Sequence, residues 1–150
     1  MSDTSGTHGR PHGARRIVVG YDGSDPSVRA LRFALGTLSA PDGEVWVVHA
    51  ALAPSTVAEP RTDEEQGTES GAIDHSLRAL EAEVDPAGRR VHVWTRDGAP
   101  APTILAAAEE VRADLIVLGT RGLRGASRLL LGSVSIDVVR HARCPVTVVP

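Results

Sequence analysis

The chain has 150 residues, with 16 basic and 19 acidic side chains, a formal net charge of −3, 41% hydrophobic residues and one cysteine, Cys144. That length suits one domain with a real core, and the hydrophobic share excludes global disorder. The slight acidity argues against nucleic acid as a partner, the lone cysteine excludes an internal disulfide and a multi-cysteine metal site, and the absence of lysine (all 16 basic residues are arginine) excludes lysine-dependent phosphate loops, Schiff-base enzymes and ordinary kinases.

Residues 1–15 are polar and glycine-rich without apolar periodicity, and predict a disordered tail in which His8 and His12 are solvated. The β-branched run 16–21 (RIVVGY) predicts a buried strand. Asp22-Gly23-Ser24-Asp25-Pro26 then reads as a helix start, with Ser24 or Asp25 as cap and Pro26 in the first turn. Val28, Leu31, Leu35 and Leu38 give that helix one apolar face. After the turn at Pro41-Asp42-Gly43 comes a second strand, 44–51. Residues 52–71 read as a polar surface loop with an acidic cluster at Asp63, Glu64 and Glu65. Ile73, Leu77, Leu80 and Val84 mark a second helix, ended by Asp85-Pro86-Ala87-Gly88. The alternating run 90–96 predicts a third strand, and Ile104, Leu105, Ala108 and Val111 a third helix. Residues 114–119 (DLIVLG) predict a fourth strand, 120–131 a loop rich in Gly and Arg, 132–142 a fourth helix with Val134, Val138 and His141 on one face, and Val146–Val149 the last strand.

Strands and helices that alternate in this way require crossover connections, hence an α/β fold with a mainly parallel sheet and helices on both faces. In such sheets a ligand lies beyond the carboxyl ends of the strands, where strand order reverses. The loops after the first and fourth strands are therefore the candidate site. In the first, Asp22 can accept hydrogen bonds from a sugar hydroxyl, or simply close the turn. In the second, Gly119 and Gly122 allow close backbone approach to an anion. Gly132, Ser133 and Ser135 fall at the start of a helix, whose free N–H groups and dipole favour phosphate. Arg121, Arg124 and Arg128 add positive charge nearby. His49 and His92 lie within strands and have no triad partner readable from sequence. Cys144 reads as a buried structural thiol.

Gly119, Gly122, Gly132 and Ser133 give the spacing G-x2-G-x9-G-S, followed by Val134-Ser135. This resembles the nucleotide-binding motif of the universal stress proteins. Residues 17–24 (IVVGYDGS), Val48-His49-Ala50, Gly98-Ala99-Pro100, 114–118 (DLIVL) and 140–146 (RHARCPV) resemble the same family, so the resemblance covers 15–150. It implies a three-layer α/β/α Rossmann-like domain over 16–150, similar to the adenine nucleotide alpha hydrolases, with strand order 3-2-1-4-5. It also implies ATP as ligand, accompanied by Mg2+. By position, Gly119 and Gly122 would approach the ribose and phosphates, with Arg121 counted among the nucleotide-binding residues, and Gly132, Ser133, Val134 and Ser135 would hold the phosphates. Asp22 would lie by the ribose or base, and Ala50 would offer its backbone to adenine. Ala50 departs from the family, where a larger aliphatic residue is common.

The expected function is a dimeric ATP-binding regulatory module of a stress response. Its apolar last strand, Val146–Val149, is an uncovered edge that the resemblance pairs with its twin in a homodimer. The competing readings are a slow ATPase or self-phosphorylating protein with Ser133, Ser135 or Thr120 as acceptor, a binder of AMP or cyclic AMP, and a scaffold with an empty pocket. No general base or metal cage is legible, which ranks the enzyme second. With no signal-like segment, no apolar run near the roughly 20 residues of a membrane span and one cysteine suited to a reducing compartment, the expected location is the cytoplasm, with no membrane partner.

Overall fold

A computed structural model describes residues 14–37, 42–51, 75–77, 79, 90–120 and 131–150. The elements in chain order are β1 (Arg16–Gly20), α1 (Asp25–Thr37), β2 (Glu44–Ala51), β3 (Arg90–Asp97), α2 (Pro100–Glu110), β4 (Leu115–Gly119), α3 (Ser133–His141) and β5 (Val146–Val149). Residues 75–77 and 79 are also helical, within the stretch expected as the second helix. The strands form one five-stranded sheet in the order β3-β2-β1-β4-β5. Every neighbouring pair is parallel, with Val18 opposite both Trp46 and Ile116. The order and direction match the expectation.

Alternation along β1 builds a core on each face of the sheet. Ile17 and Val19 pack with Ala30, Leu31, Ala34 and Leu35 of α1, with Val45 and Val47 of β2, and with Leu77. Val18, Ile116 and Leu118 face the other way, onto Ile104, Ala107 and Ala108 of α2 and Val138 of α3. Central β1 and β4 are buried on both faces, which is why they read as unbroken apolar runs. The two tryptophans lie toward the β3 edge, where Trp46 stacks on His92 at 3.9 Å and meets Trp94 edge-on at 4.5 Å. His92 thus packs rather than points into a site, and its Nε2 lies 3.7 Å from Glu44.

Several boundaries differ from the sequence expectation. Arg15, assigned to the tail, is tied down: its carbonyl accepts from Glu44 N–H at 2.6 Å, and its N–H donates to the Asp114 carboxylate at 3.1 Å. Asp114 also accepts from Arg16 N–H at 2.9 Å, so it closes the sheet end instead of opening β4. The first strand stops at Gly20: Tyr21 N–H closes the last rung of the β1–β2 ladder at Val48 O, and Tyr21 O meets the His49 ring instead of a further rung. His141, expected on the apolar face of the last helix, is exposed, and its Nδ1–H donates to Asp137 O at 2.8 Å. The acceptor there is a carbonyl one turn back, which an outward-facing ring reaches without entering the core. Cys144 is half-buried against the α2–α3 cluster. Leu38, Ile73, Leu80, Val84, the acidic cluster at 63–65, and His8 and His12 lie outside the described residues. Among the described residues, no helix is long and apolar enough to cross a membrane.

Candidate functional site

The carboxyl ends of β1 and β4 lie side by side at the point where strand order reverses. The first loop there is a tight cap for α1. Asp22 Oδ1 accepts from Ser24 N–H at 3.0 Å and Ser24 Oγ–H at 2.5 Å, while Gly23 takes a φ of +81° that favours glycine. Ser24 Oγ faces Ser27 N–H at 3.4 Å, and Ser27 Oγ–H donates to Ser24 O at 2.8 Å. Asp22 is therefore the residue that closes the turn, as one of its two readings had it. It is half-buried, and its second oxygen has no hydrogen-bond partner among the described residues, so it can still accept from a hydroxyl.

Ala50 lies near the end of β2, half-buried. Beside it, His49 Nδ1 is 3.0 Å from Tyr21 O. A carbonyl only accepts, so the proton sits on Nδ1, and in the neutral ring Nε2 is left as an acceptor. Tyr21 itself is buried, and its hydroxyl titrates above the usual range because of that burial and the neighbouring Asp22 charge.

The second loop leaves and re-enters the fold through a closed neck. Thr120 N–H donates to Val149 O at 2.9 Å, and Thr120 O accepts from Gly132 N–H at 2.8 Å. Sequence reasoning missed this role of Thr120, because backbone hydrogen bonds leave no side-chain signal. Arg121, Gly122, Arg124 and Arg128 lie outside the described residues. At the far side of the neck Gly132 is the N-cap of α3, in extended conformation, with no side-chain cap on the helix. The first bond of the helix closes from Ile136 N–H to Gly132 O at 3.1 Å. The N–H groups of Ser133, Val134 and Ser135 thus precede the helical ladder, and a glycine cap has no side-chain oxygen to offer them. Ser133 is exposed and Val134 half-buried, whereas Ser135 is 3% exposed.

Two glycines at this junction sit in close packing, Gly119 against backbone and Gly20 against side-chain tips. A Cβ on Gly119 would lie 2.7 Å from the carbonyl carbon of Pro26 and 2.9 Å from Ser27 N, so the first turn of α1 rests directly on β4. A Cβ on Gly20 would lie 2.6 Å from Leu118 Cδ2 and 2.7 Å from Ile104 Cδ1. The site thus brings together Asp22, Ala50, Gly119, Gly132, Ser133, Val134 and Ser135 at one end of the sheet. It offers uncapped backbone donors on one side and a carboxylate oxygen on the other. That is suited to an anion carrying a hydroxylated, neutral portion. Among the described residues no group of three His, Cys, Asp or Glu side chains is placed to hold a metal ion.

The profile of the Universal stress protein family matches residues 13–150. The chain is 38% identical over 141 residues to a universal stress protein of Thermus aquaticus, covering 90% of this chain and 98% of the relative. It is 33% identical over 144 residues to one of Methanocaldococcus jannaschii, covering 90% and 81%. A solved universal stress protein in complex with cAMP superposes with a TM-score of 0.69 at 29% identity, covering 92% of this chain and 98% of that one.

Proposed function

This chain belongs to the universal stress protein family, and we propose that it is an adenine-nucleotide-binding regulatory module, with ATP as its ligand, that acts as a homodimer in a stress response. The observation that carries the reading is the N-terminus of α3. Gly132 places no side chain over it, so the N–H groups of Ser133, Val134 and Ser135 are left for an external anion. The exposed Ser133 hydroxyl adds a donor, and Arg121 and Gly122 belong to the same loop in sequence. On the sugar side, the second oxygen of Asp22 is the acceptor proposed for a ribose hydroxyl, and the Ala50 backbone is proposed to meet adenine. Gly119 contributes backbone at the junction. Mg2+ is proposed to enter on the ATP phosphates, whose oxygens suit it better than a protein cage.

A second reading, a cyclic AMP binder, is favoured by one observation: a solved relative of similar length is a complex with cAMP. The dimer is proposed through β5, which pairs with β4 on one side and is a sheet edge on the other. Ile136 and Val139 of α3, the helix just before β5, expose apolar side chains. Binding is proposed ahead of hydrolysis because the sequence offers no legible general base.

One experiment separates these readings. The purified protein is denatured, any released nucleotide is identified by chromatography, and the refolded apo protein is titrated with ATP, AMP and cyclic AMP. ATP released, or bound most tightly, is the expected result. A preference for cyclic AMP would move the assignment to the second reading, and no binding of any of the three would end both. Phosphate release that continues through many turnovers would make the protein an enzyme.

A further inference from the structure

Ser135 carries a hydroxyl at the third position of α3, among the donors assigned above to the anion, yet its proton is already committed. Ser135 is 3% exposed, and its Oγ–H donates to Gly119 O at 3.0 Å. A serine hydroxyl has one proton to give. The β1–β4 ladder ends at Val19 opposite Val117, so the Gly119 carbonyl lies beyond the last pair and is satisfied by this side chain. The same Gly119 has α1 resting on its Cα face, within 2.7 Å of where a Cβ would stand. One residue later, Thr120 joins β5 through its N–H and α3 through its carbonyl. The N-termini of α1 and α3 and the ends of β4 and β5 therefore meet at two consecutive residues. The Ser135 hydroxyl is the only side-chain hydrogen bond found holding α3 to that junction among the described residues.

We infer that Ser135 is a positioning residue, locking the N-terminus of α3 to the end of β4 at Gly119. The inference rests on the anion site proposed above, in which Ser133 is the direct side-chain donor. Ser135 contributes to the ligand through its backbone N–H, and its hydroxyl fixes where the three N–H groups aim. Loosening the lock lowers the fraction of molecules whose α3 donors are correctly arranged, and so weakens ligands that carry phosphate. Losing a direct phosphate donor weakens the same ligands but leaves the apo fold as it was.

Ser135→Ala and Ser133→Ala separate the roles, with melting of the apo protein and titration by ATP and by adenosine as readouts. Ser135→Ala is expected to lower the apo melting temperature by about 2–4 °C, the size of one lost net hydrogen bond in a chain of this length. It is also expected to weaken ATP with adenosine unaffected, and to speed amide exchange at Thr120 and Gly132. Ser133→Ala is expected to leave melting unchanged and to weaken ATP about fivefold with adenosine unaffected. An unchanged apo melting temperature with unchanged amide exchange in Ser135→Ala would overturn the assignment, as would a destabilised Ser135→Ala that binds ATP normally. If the wild-type protein binds neither ligand, the nucleotide reading and the Ser133 role fall together. The lock at Ser135 then stands or falls on apo melting and amide exchange.

Discussion

Gly119 carries two demands at once. From sequence it reads as a glycine that lets backbone approach a ribose or phosphate. In the fold its missing Cβ is filled by the first turn of α1, with Pro26 and Ser27 backbone atoms at 2.7 and 2.9 Å. Backbone cannot swing aside as a side-chain tip can, so Gly119→Ala must shift α1 or β4. The expected cost is about 1–3 kcal/mol, seen as a lower urea midpoint in the apo protein; an unchanged midpoint would mean that α1 is not seated as described. Gly36 is the opposite case. It lies near the end of α1 with nothing within 4 Å of an added Cβ. Gly36→Ala should therefore raise stability by about 0.5–1 kcal/mol through helix propensity, and a fall would indicate that this turn is not helical in solution. Asp22 was legible only as an alternative between turn and ligand, because a carboxylate at that spacing serves both. The bonds from Ser24 decide the turn and leave one oxygen over.

At the level of elements, apolar alternation and turn residues located all five strands. Strand length is set by pairing, however, and pairing is not local. Tyr21 has the side chain of a strand residue and its N–H closes the last β1–β2 rung at Val48, but its carbonyl meets the His49 ring instead of a further rung, and β1 ends before it. His141 shares helical spacing with Val138, yet the helix ends there and the ring turns outward to Asp137. The last strand supports a sharper test of the dimer. Pro145 and Val149 carbonyls face β4, accepting from Ile116 and Thr120. By the two-residue period of a strand, Thr147 also faces β4, while the N–H groups of Val146 and Val148 point to the open edge. Val148→Pro thus removes an outward donor and leaves the β4 ladder whole. The expected outcome is a folded monomer by light scattering and circular dichroism. A folded dimer would refute the β5 interface.

Across the whole molecule, burial sets how stability responds to alkali. Burial raises the Cys144 thiol above its ordinary range, and the Asp114 charge adds to this against a weaker lowering by a backbone hydrogen bond. Burial and Asp22 raise Tyr21 in the same sense. Both groups hold their protons more tightly in the folded state. Below the unfolded-state values, about 8.5 for Cys and about 10 for Tyr, they add no pH dependence. As pH rises past those values the unfolded chain ionises first, and stability falls. The urea midpoint should accordingly drop between pH 7.5 and pH 10, and Cys144→Ala should flatten the earlier part of that drop; a midpoint that rises over this range would contradict the burial of both groups. The sequence by itself determined the α/β class, the order of the strands along the chain and the family. These follow from local periodicity, turn chemistry and motif spacing, which neighbouring residues encode among themselves. Only the tertiary structure decided that Gly119 supports α1, that Thr120 closes the neck of the loop and that the Ser135 hydroxyl turns inward to β4. Each of these depends on which distant backbone groups are left unpaired once the strands have found their neighbours, and that is a property of the assembled sheet.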